Sequence, residues 1–111
     1  MTDGVQQRPV FQVIGRFVLR PGKEALWDST LRERVEAARS APGWLGASVW
    51  APADNPLQRV IVGRWRSLED YDAWMRTETY IRTKTVLNTC QAAPPEIERF
   101  RSVFIVDAAD P

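Results

Sequence analysis

Hydrophobic residues alternate with other residues near the start of the chain, which predicts a first strand. From Val10 to Leu19 every second side chain falls on the same face, as in a pleated strand. The more apolar face carries Phe11, Val13, Gly15, Phe17 and Leu19. The opposite face mixes Ile14 and Val18 with polar residues, so we expect it to be covered by another surface.

The pattern then changes to a helical spacing. Pro21 and Gly22 predict a turn, and a helix is expected from about Lys23 to Ala41. Its apolar stripe consists of Trp27, Leu31, Val35 and Ala38, widened by Leu26 and Ala37. The charged positions between them, Arg34 included, are expected to face solvent. Pro42 and Gly43 follow as a stop signal.

Two more alternating segments predict a hairpin. They run from Trp44 to Ala51 and from Gln58 to Trp65. The stretch between them, Pro52 to Pro56, is rich in turn residues, so the two strands are expected to pair antiparallel.

A capped helical region follows the hairpin. Ser67 is placed to cap it, and Glu69 and Asp70 fall in its first turn, where carboxylates suit the positive end of the helix dipole. A break is expected at 77–79, before a second helical segment from Tyr80 to Gln91. The inward positions expected of that segment are Ile81, Val86, Leu87 and Cys90.

The last predicted element is a fourth strand from Glu96 to Val106, apolar on both faces toward its end. The resulting order, β-α-β-β-α-β, is a split βαβ unit and predicts an α+β, ferredoxin-like fold with a four-stranded antiparallel sheet. We expect a flexible tail at 1–9 and one domain at 10–107. Helices on one face would leave the other face bare, so its apolar residues predict a homodimer that pairs sheet to sheet.

Composition narrows the classes of partner and chemistry. The 111 residues include 15 basic and 14 acidic ones, for a net charge of +1, which gives no field to attract nucleic acid or an anionic membrane. No apolar run reaches the length of a membrane span, and the first residues are polar, so a cytoplasmic protein is expected.

Histidine is absent and Cys90 is the single cysteine. The sequence therefore excludes an imidazole base, a histidine-ligated haem or metal, an internal disulfide and a cysteine zinc site. Cys90 itself fits a small buried hydrophobic residue. We expect no metal site.

Trp65 and Tyr71 stand where the third strand meets the following helix, which predicts a pocket wall. An indole N–H can donate to a ligand oxygen, although a tryptophan at a strand end also fits a core residue. A phenol with an ordinary pKa of about 10 fits an acid better than a base at neutral pH.

Three motifs resemble those of one family: Pro21-Gly22-Lys23, Pro42-Gly43-x-Leu45-Gly46, and Trp65-x-Ser67-x-Glu69 before a helix. They are similar to the antibiotic biosynthesis monooxygenase (ABM) domain, a dimeric α+β barrel, from about strand one to strand four. The likeness is nearest to the small oxygenases of aromatic polyketide pathways. Those enzymes convert anthrones to quinones with dioxygen as co-substrate and no cofactor.

The resemblance implies a set of site residues. Trp65 and Tyr71 match pocket residues at the same spacing, and Arg82 is the best match to a pocket arginine on the next helical segment; these three are the expected catalytic residues. Some relatives place an asparagine on strand one or three to bind the substrate oxygen, and here strand one offers Gln12. The expected substrate-binding residues are Gln12, Trp74, Tyr80 and Asn88, of which Trp74 and Tyr80 also fit packing or dimer contacts.

Three functions remain open at this point. The first is a cofactor-independent monooxygenase that oxidises a small aromatic substrate, a polycyclic anthrone or phenol, to a quinone. The second is a polyketide cyclase of the same fold, which would close a ring without dioxygen. The third is a non-catalytic dimer that binds a ligand or assists another enzyme.

Overall fold

A computed structural model describes residues 8–109, which form four strands and three helices. In chain order they are β1 (Phe11–Val18), α1 (Glu24–Ala38), β2 (Trp44–Trp50), β3 (Gln58–Trp65), α2 (Leu68–Met75), α3 (Glu78–Thr89) and β4 (Glu96–Arg101). Most of the predicted tail, residues 1–7, lies outside the described residues. No helix in the described range is long and apolar enough to cross a membrane.

The strands form one antiparallel sheet in the order β2-β3-β1-β4. At the centre, Gly15 of β1 lies opposite Ile61 of β3 and Ile97 of β4. Because side chains alternate between faces, residues with the parity of Gly15 share one face, which we call the inner face. This order and pairing confirm the predicted ferredoxin-like α+β fold.

The inner face packs against the helices around a fully buried tryptophan. The Trp27 ring of α1 lies 5.3 Å from the Phe17 ring of β1, and its indole N–H donates to Gln91 Oε1 at 3.2 Å. Leu87 and the predicted buried thiol of Cys90 complete this cluster from the α3 side. Burial of these groups ties α1, α3 and β1 together.

Helix α1 differs from its prediction in two side chains. Its buried positions are Trp27, Thr30, Leu31, Arg34 and Ala38. Leu26 was expected to widen the apolar stripe, but it lies beside the buried face of the helix and is 44% exposed. The solvent-facing position predicted for Arg34 is also wrong, because Arg34 falls three residues after Leu31 and four before Ala38, on the packed face.

The helical region after β3 breaks as expected. The Ser67 hydroxyl accepts from the Asp70 N–H at 3.1 Å at the start of α2, and the Thr77 hydroxyl accepts from the Tyr80 N–H at 3.3 Å at the start of α3. Ile81 was predicted to point inward, but it is exposed. Thr83, two positions on, is the residue that packs against α1 instead.

Strand β4 ends at Arg101, earlier than predicted, because its partner runs out. Arg101 lies opposite Phe11, the first residue of β1, and the last backbone bond runs from Ser102 N–H to the Val10 carbonyl at 2.8 Å. Beyond it, residues 103–106 are exposed, with Val103 at 90%. The expectation that both faces of this segment are covered is therefore not met within one chain.

Among residues 8–109, no helix covers the outer face of the sheet. Val18, Trp50 and Phe100 lie on this face, and all three are more than one third exposed. This is more apolar surface than a sheet face in water usually presents, so the face is suited to contact with another surface.

We expect Trp27→Phe to lower the free energy of unfolding by about 1–3 kcal/mol, because it leaves a gap in the core and removes the hydrogen bond to Gln91. The control is Leu26→Ala, the neighbouring residue on the same helix, which should change stability by less than about 0.5–1 kcal/mol. Urea unfolding of both variants measures this. Equal losses would contradict the packing of α1 described above.

Candidate functional site

A cleft lies between the inner face of the sheet and the helices. Its cavity volume is about 80 Å³, and the larger space of about 580 Å³ around it includes open solvent at its mouth. We call it the chamber. Its aromatic lining consists of Phe17, Trp44, Trp65, Tyr71, Trp74 and Tyr80. Arg34 is the one charged residue among its lining residues.

Two glycines on the central strands leave room for aromatic rings on the inner face. Gly15 of β1 and Gly63 of β3 both face inward, and Gly63 lies opposite Val13. A Cβ at Gly15 would come within 2.7 Å of the Phe17 ring, whereas one at Gly63 would lie an ordinary 3.6 Å from Trp65 Nε1. The Phe17 ring therefore occupies the space above Gly15, and this ring forms part of the floor of the chamber.

The end of β3 and the start of α2 bring Trp65 and Tyr71 together. Their ring centroids are 5.8 Å apart at an interplanar angle of 57°, and Trp65 is 3% exposed. Gly43 fixes this junction, because its φ of 79° suits glycine and an added Cβ would overlap the Asp70 carboxylate. The Gly43 carbonyl also accepts from Arg66 N–H at 2.8 Å.

Tyr71 is held in its neutral form. Burial raises the pKa of its phenol well above the ordinary value, and the neighbouring phenol of Tyr80 acts in the same direction. The guanidinium groups of Arg99 and Arg34 oppose this rise in pKa without cancelling it. At neutral pH Tyr71 can therefore donate a hydrogen bond to a ligand but cannot act as a general base.

Trp74 and Tyr80, two of the expected substrate-binding residues, lie on the same wall. Their rings meet edge to face, with centroids 6.2 Å apart. Trp44, at the start of β2, closes another side of the chamber and was not expected there. The chamber is thus surrounded by Tyr71 and by four aromatic residues from four different elements, Trp44, Trp65, Trp74 and Tyr80.

Arg34 is a site residue that the sequence reading missed. Its guanidinium lies 3.9 Å above the Tyr80 ring and donates to Thr83 Oγ1 at 2.8 Å and to the Tyr80 carbonyl at 3.1 Å. Burial lowers its pKa, but an arginine starts so high that the group remains charged. The signal in the sequence was its spacing from Leu31 and Ala38.

Arg82 does not lie in the chamber. It is half exposed and pairs with Glu33 across the solvent side of α1 and α3. The reason is its position next to Thr83: since Thr83 faces α1, the side chain before it on the helix turns outward. The arginine that lines the chamber is Arg34 of α1, and Arg82 of α3 is not among the lining residues.

Gln12 and Asn88 also lie apart from the chamber. Gln12 is opposite Arg64 and Phe100 in the sheet, which places it on the outer face. Asn88 is exposed and lines an adjoining recess instead. We call that recess the vestibule; its lining includes Lys84, Asn88, Gln91 and Arg99, and it shares Arg34, Tyr71 and Tyr80 with the chamber.

Within residues 8–109, no three cysteine, aspartate or glutamate side chains cluster closely enough to hold a metal ion. The chemical resources of the site are hydrogen-bond donors, aromatic surface and one buried cation. No buried side-chain nitrogen or oxygen in that range lacks a partner, so the indole of Trp65 and the phenol of Tyr71 are not sealed away from the cavity space.

Comparison with known families gives one match. The sequence profile of the family described as "Antibiotic biosynthesis monooxygenase" matches residues 10–86, which is more than half of the chain. A comparison with curated proteins finds no match.

Solved structures share the fold at low sequence identity. A crystal structure named antibiotic biosynthesis monooxygenase superposes with a TM-score of 0.78 at 22% identity, covering 84% of this chain and 98% of that one. A mutant of SnoaB, a cofactor-independent oxygenase from Streptomyces nogalater, gives 0.81 at 15% identity, over 92% and 100% of the two chains. Rv0793 from Mycobacterium tuberculosis gives 0.75 at 22% identity, over 92% and 99%.

The raised pKa of Tyr71 predicts a pH dependence of stability. The unfolded chain releases this proton near pH 10, while the folded chain retains it, so stability is full below about pH 10 and falls as the pH rises further. Tyr71→Phe should reduce the loss between about pH 9 and about pH 11. Urea unfolding across that range measures it, and equal slopes for the two proteins would refute a buried neutral phenol.

Proposed function

Because the chain belongs to the antibiotic biosynthesis monooxygenase family, we propose that it is a cofactor-independent monooxygenase. Its substrate would be a polycyclic aromatic polyketide intermediate of the anthrone or phenol type, oxidised to a quinone with dioxygen. The observation that carries the proposal is the aromatic chamber with Trp65 and Tyr71 side by side on its wall. The similarity in fold to SnoaB, described as a cofactor-independent oxygenase, supports the reaction class.

The chamber favours flat aromatic ligands. Its walls are aromatic rings and its floor includes the Phe17 ring and Gly63, so a planar ring system can lie against flat surfaces on both sides. The enclosed part is narrow, and most of the void opens toward the mouth. A tricyclic substrate would therefore extend from the chamber toward the vestibule.

In the proposed reaction the electrons come from the substrate. Transfer of a proton from the anthrone methylene to solvent gives an anion stabilised by the arene, which passes one electron to dioxygen. The resulting radical and superoxide combine to a peroxide anion, which takes up a proton from solvent to give the hydroperoxide. Breakage of its O–O bond, with loss of the remaining hydrogen on that carbon, leaves a carbonyl and releases water. The methylene thus loses two hydrogens and gains one oxygen atom.

The protein would contribute orientation, hydrogen bonds and exclusion of water. The Trp65 indole and the neutral Tyr71 phenol are donors, suited to hold an oxygen that gains negative charge in the reaction. Neither residue is suited to remove the first proton. The methylene of a phenolic anthrone releases that proton more readily than a simple hydrocarbon does. Such a reaction, in which the substrate supplies the electrons and the protein orients it, suits a site that offers mainly hydrogen-bond donors and apolar walls.

We also propose that the functional unit is a homodimer joined through the outer face. Val18, Trp50 and Phe100 supply apolar surface on that face, and Val103 and Phe104 extend beyond the sheet with almost no contact to their own chain. Burial of such side chains against a second copy would stabilise both. The dimeric barrel of the family is formed by sheets that meet in this way.

Oxygen consumption tests the enzymatic proposal. Protein freed of metal with a chelator should consume one dioxygen per anthrone oxidised, measured with an oxygen electrode. Trp65→Phe and Tyr71→Phe should each lower the rate by at least about tenfold, because each removes one donor to a developing charge. Arg39→Gln is the control, since Arg39 is exposed and forms its ion pair with Glu36 three residues before it.

The alternatives appear as different outcomes of the same assay. Product formation without oxygen uptake would support a cyclase, and ligand binding without any turnover would support an accessory protein. Full activity in both Trp65→Phe and Tyr71→Phe would place the reaction somewhere other than the chamber.

Sedimentation velocity tests the dimer. The unaltered chain should sediment as a dimer, and Val18→Glu should shift it toward the monomer by placing a charge in the apolar contact. Leu26→Glu is matched in exposure, at 44% against 41% for Val18, but lies on α1 and should leave the dimer intact. A monomer at every concentration of the unaltered chain would contradict the proposal.

A further inference from the structure

Arg34 is a buried cation with no acidic partner among residues 8–109. Its side chain and backbone together are 9% exposed, and its two hydrogen-bond acceptors, the Thr83 hydroxyl and the Tyr80 carbonyl, are both neutral. In the described part of the chain no carboxylate lies within 4.0 Å of its guanidinium. A charge removed from water in this way is costly unless an anion completes the pair.

The position of Arg34 shows where that anion would lie. The residue lines both the chamber and the vestibule, together with Tyr71 and Tyr80. Thr83 and the Tyr80 ring hold it on its α3 side, so an incoming group meets the guanidinium from the cavity side. A planar guanidinium binds an oxygen anion through directed, charge-assisted hydrogen bonds.

The vestibule adds positive charge close to Arg34. Lys84 and Arg99 line it, and no acidic residue is among its lining residues. Arg99 is partly neutralised by Asp72 at 3.2 Å, whereas Lys84 has no carboxylate within 4.0 Å among the described residues. Such an arrangement attracts anions at low ionic strength and loses that attraction as salt screens it.

We propose that Arg34 is the anion-binding residue of this site, and that its ligands are planar aromatic anions carrying an ionised oxygen group. The aromatic ring lies against Trp65 and Trp44 in the chamber, and the carboxylate or phenolate oxygen contacts Arg34 at the boundary with the vestibule. The inference rests on the ligand site of the proposed function, but it does not depend on oxidation of the ligand.

Equilibrium binding of two matched probes tests this without any turnover. Isothermal titration under argon compares 2-naphthoate with 2-naphthamide, which has nearly the same shape and no charge. The unaltered protein should prefer naphthoate by about tenfold, the difference between a charge-assisted and a neutral hydrogen bond. Arg34→Gln should abolish the preference and leave the affinity for naphthamide within about twofold.

Further variants separate recognition from a structural role. Arg34→Lys should keep part of the preference, and Arg39→Gln, an exposed arginine on the same helix, should keep all of it. Lys84→Gln should mainly reduce the salt dependence of naphthoate binding. If Arg34 only braced α1 against α3, its replacement would weaken both probes equally, and that result would overturn the proposal.

A phenolic probe extends the test to the second class of anion. Bound 2-naphthol should ionise at a lower pH in the unaltered protein than in Arg34→Gln, followed by its absorbance. If Arg34→Gln does not fold, the unaltered protein still decides: equal affinity for naphthoate and naphthamide at low salt would overturn the proposal. A naphthoate preference with no oxygen uptake on anthrone would support this inference and contradict the proposed oxidation.

Discussion

The site depends on a gap in the packing between sheet and helices. The helices rest on bulky side chains of the sheet, including Phe17 and Trp65, and the Phe17 ring fits over the sheet because Gly15 has no side chain beneath it. Close packing normally removes gaps between such layers. Here the rings of Trp44, Trp74 and Tyr80 line a remaining gap without filling it.

Electrostatics divides the site into two parts with different tasks. The chamber offers neutral donors, because burial keeps the Tyr71 phenol protonated. The boundary with the vestibule offers a permanent cation, because Arg34 is charged and has neutral partners on its α3 side. A ligand that carries its own negative charge fits both parts at once. The proposed reaction, in which the substrate supplies the electrons, is compatible with a chain that has no histidine.

The sequence predicted the fold well because its signals are local. Alternation identified β1 and β3, the Ser67 hydroxyl marked one helix start, and the split βαβ order followed from the elements. Trp65 and Tyr71 could be placed together because only a capped turn separates them. The placing of Arg82, Gln12 and Asn88 failed because it needed the rotation of a helix or the face of a strand. Arg34 was missed since a charged residue on a helix usually lies in water, and only the packing of α1 against α3 shows otherwise.

In the proposed site, the ligand binds in the chamber against the Trp65 and Tyr71 wall. Nuclear Overhauser contacts between a bound naphthoate and the protein test this placement. We expect contacts from the ring protons of the ligand to the indole N–H of Trp65 and to the Tyr71 ring. Contacts confined to Trp50, on the outer face of the sheet, would contradict it.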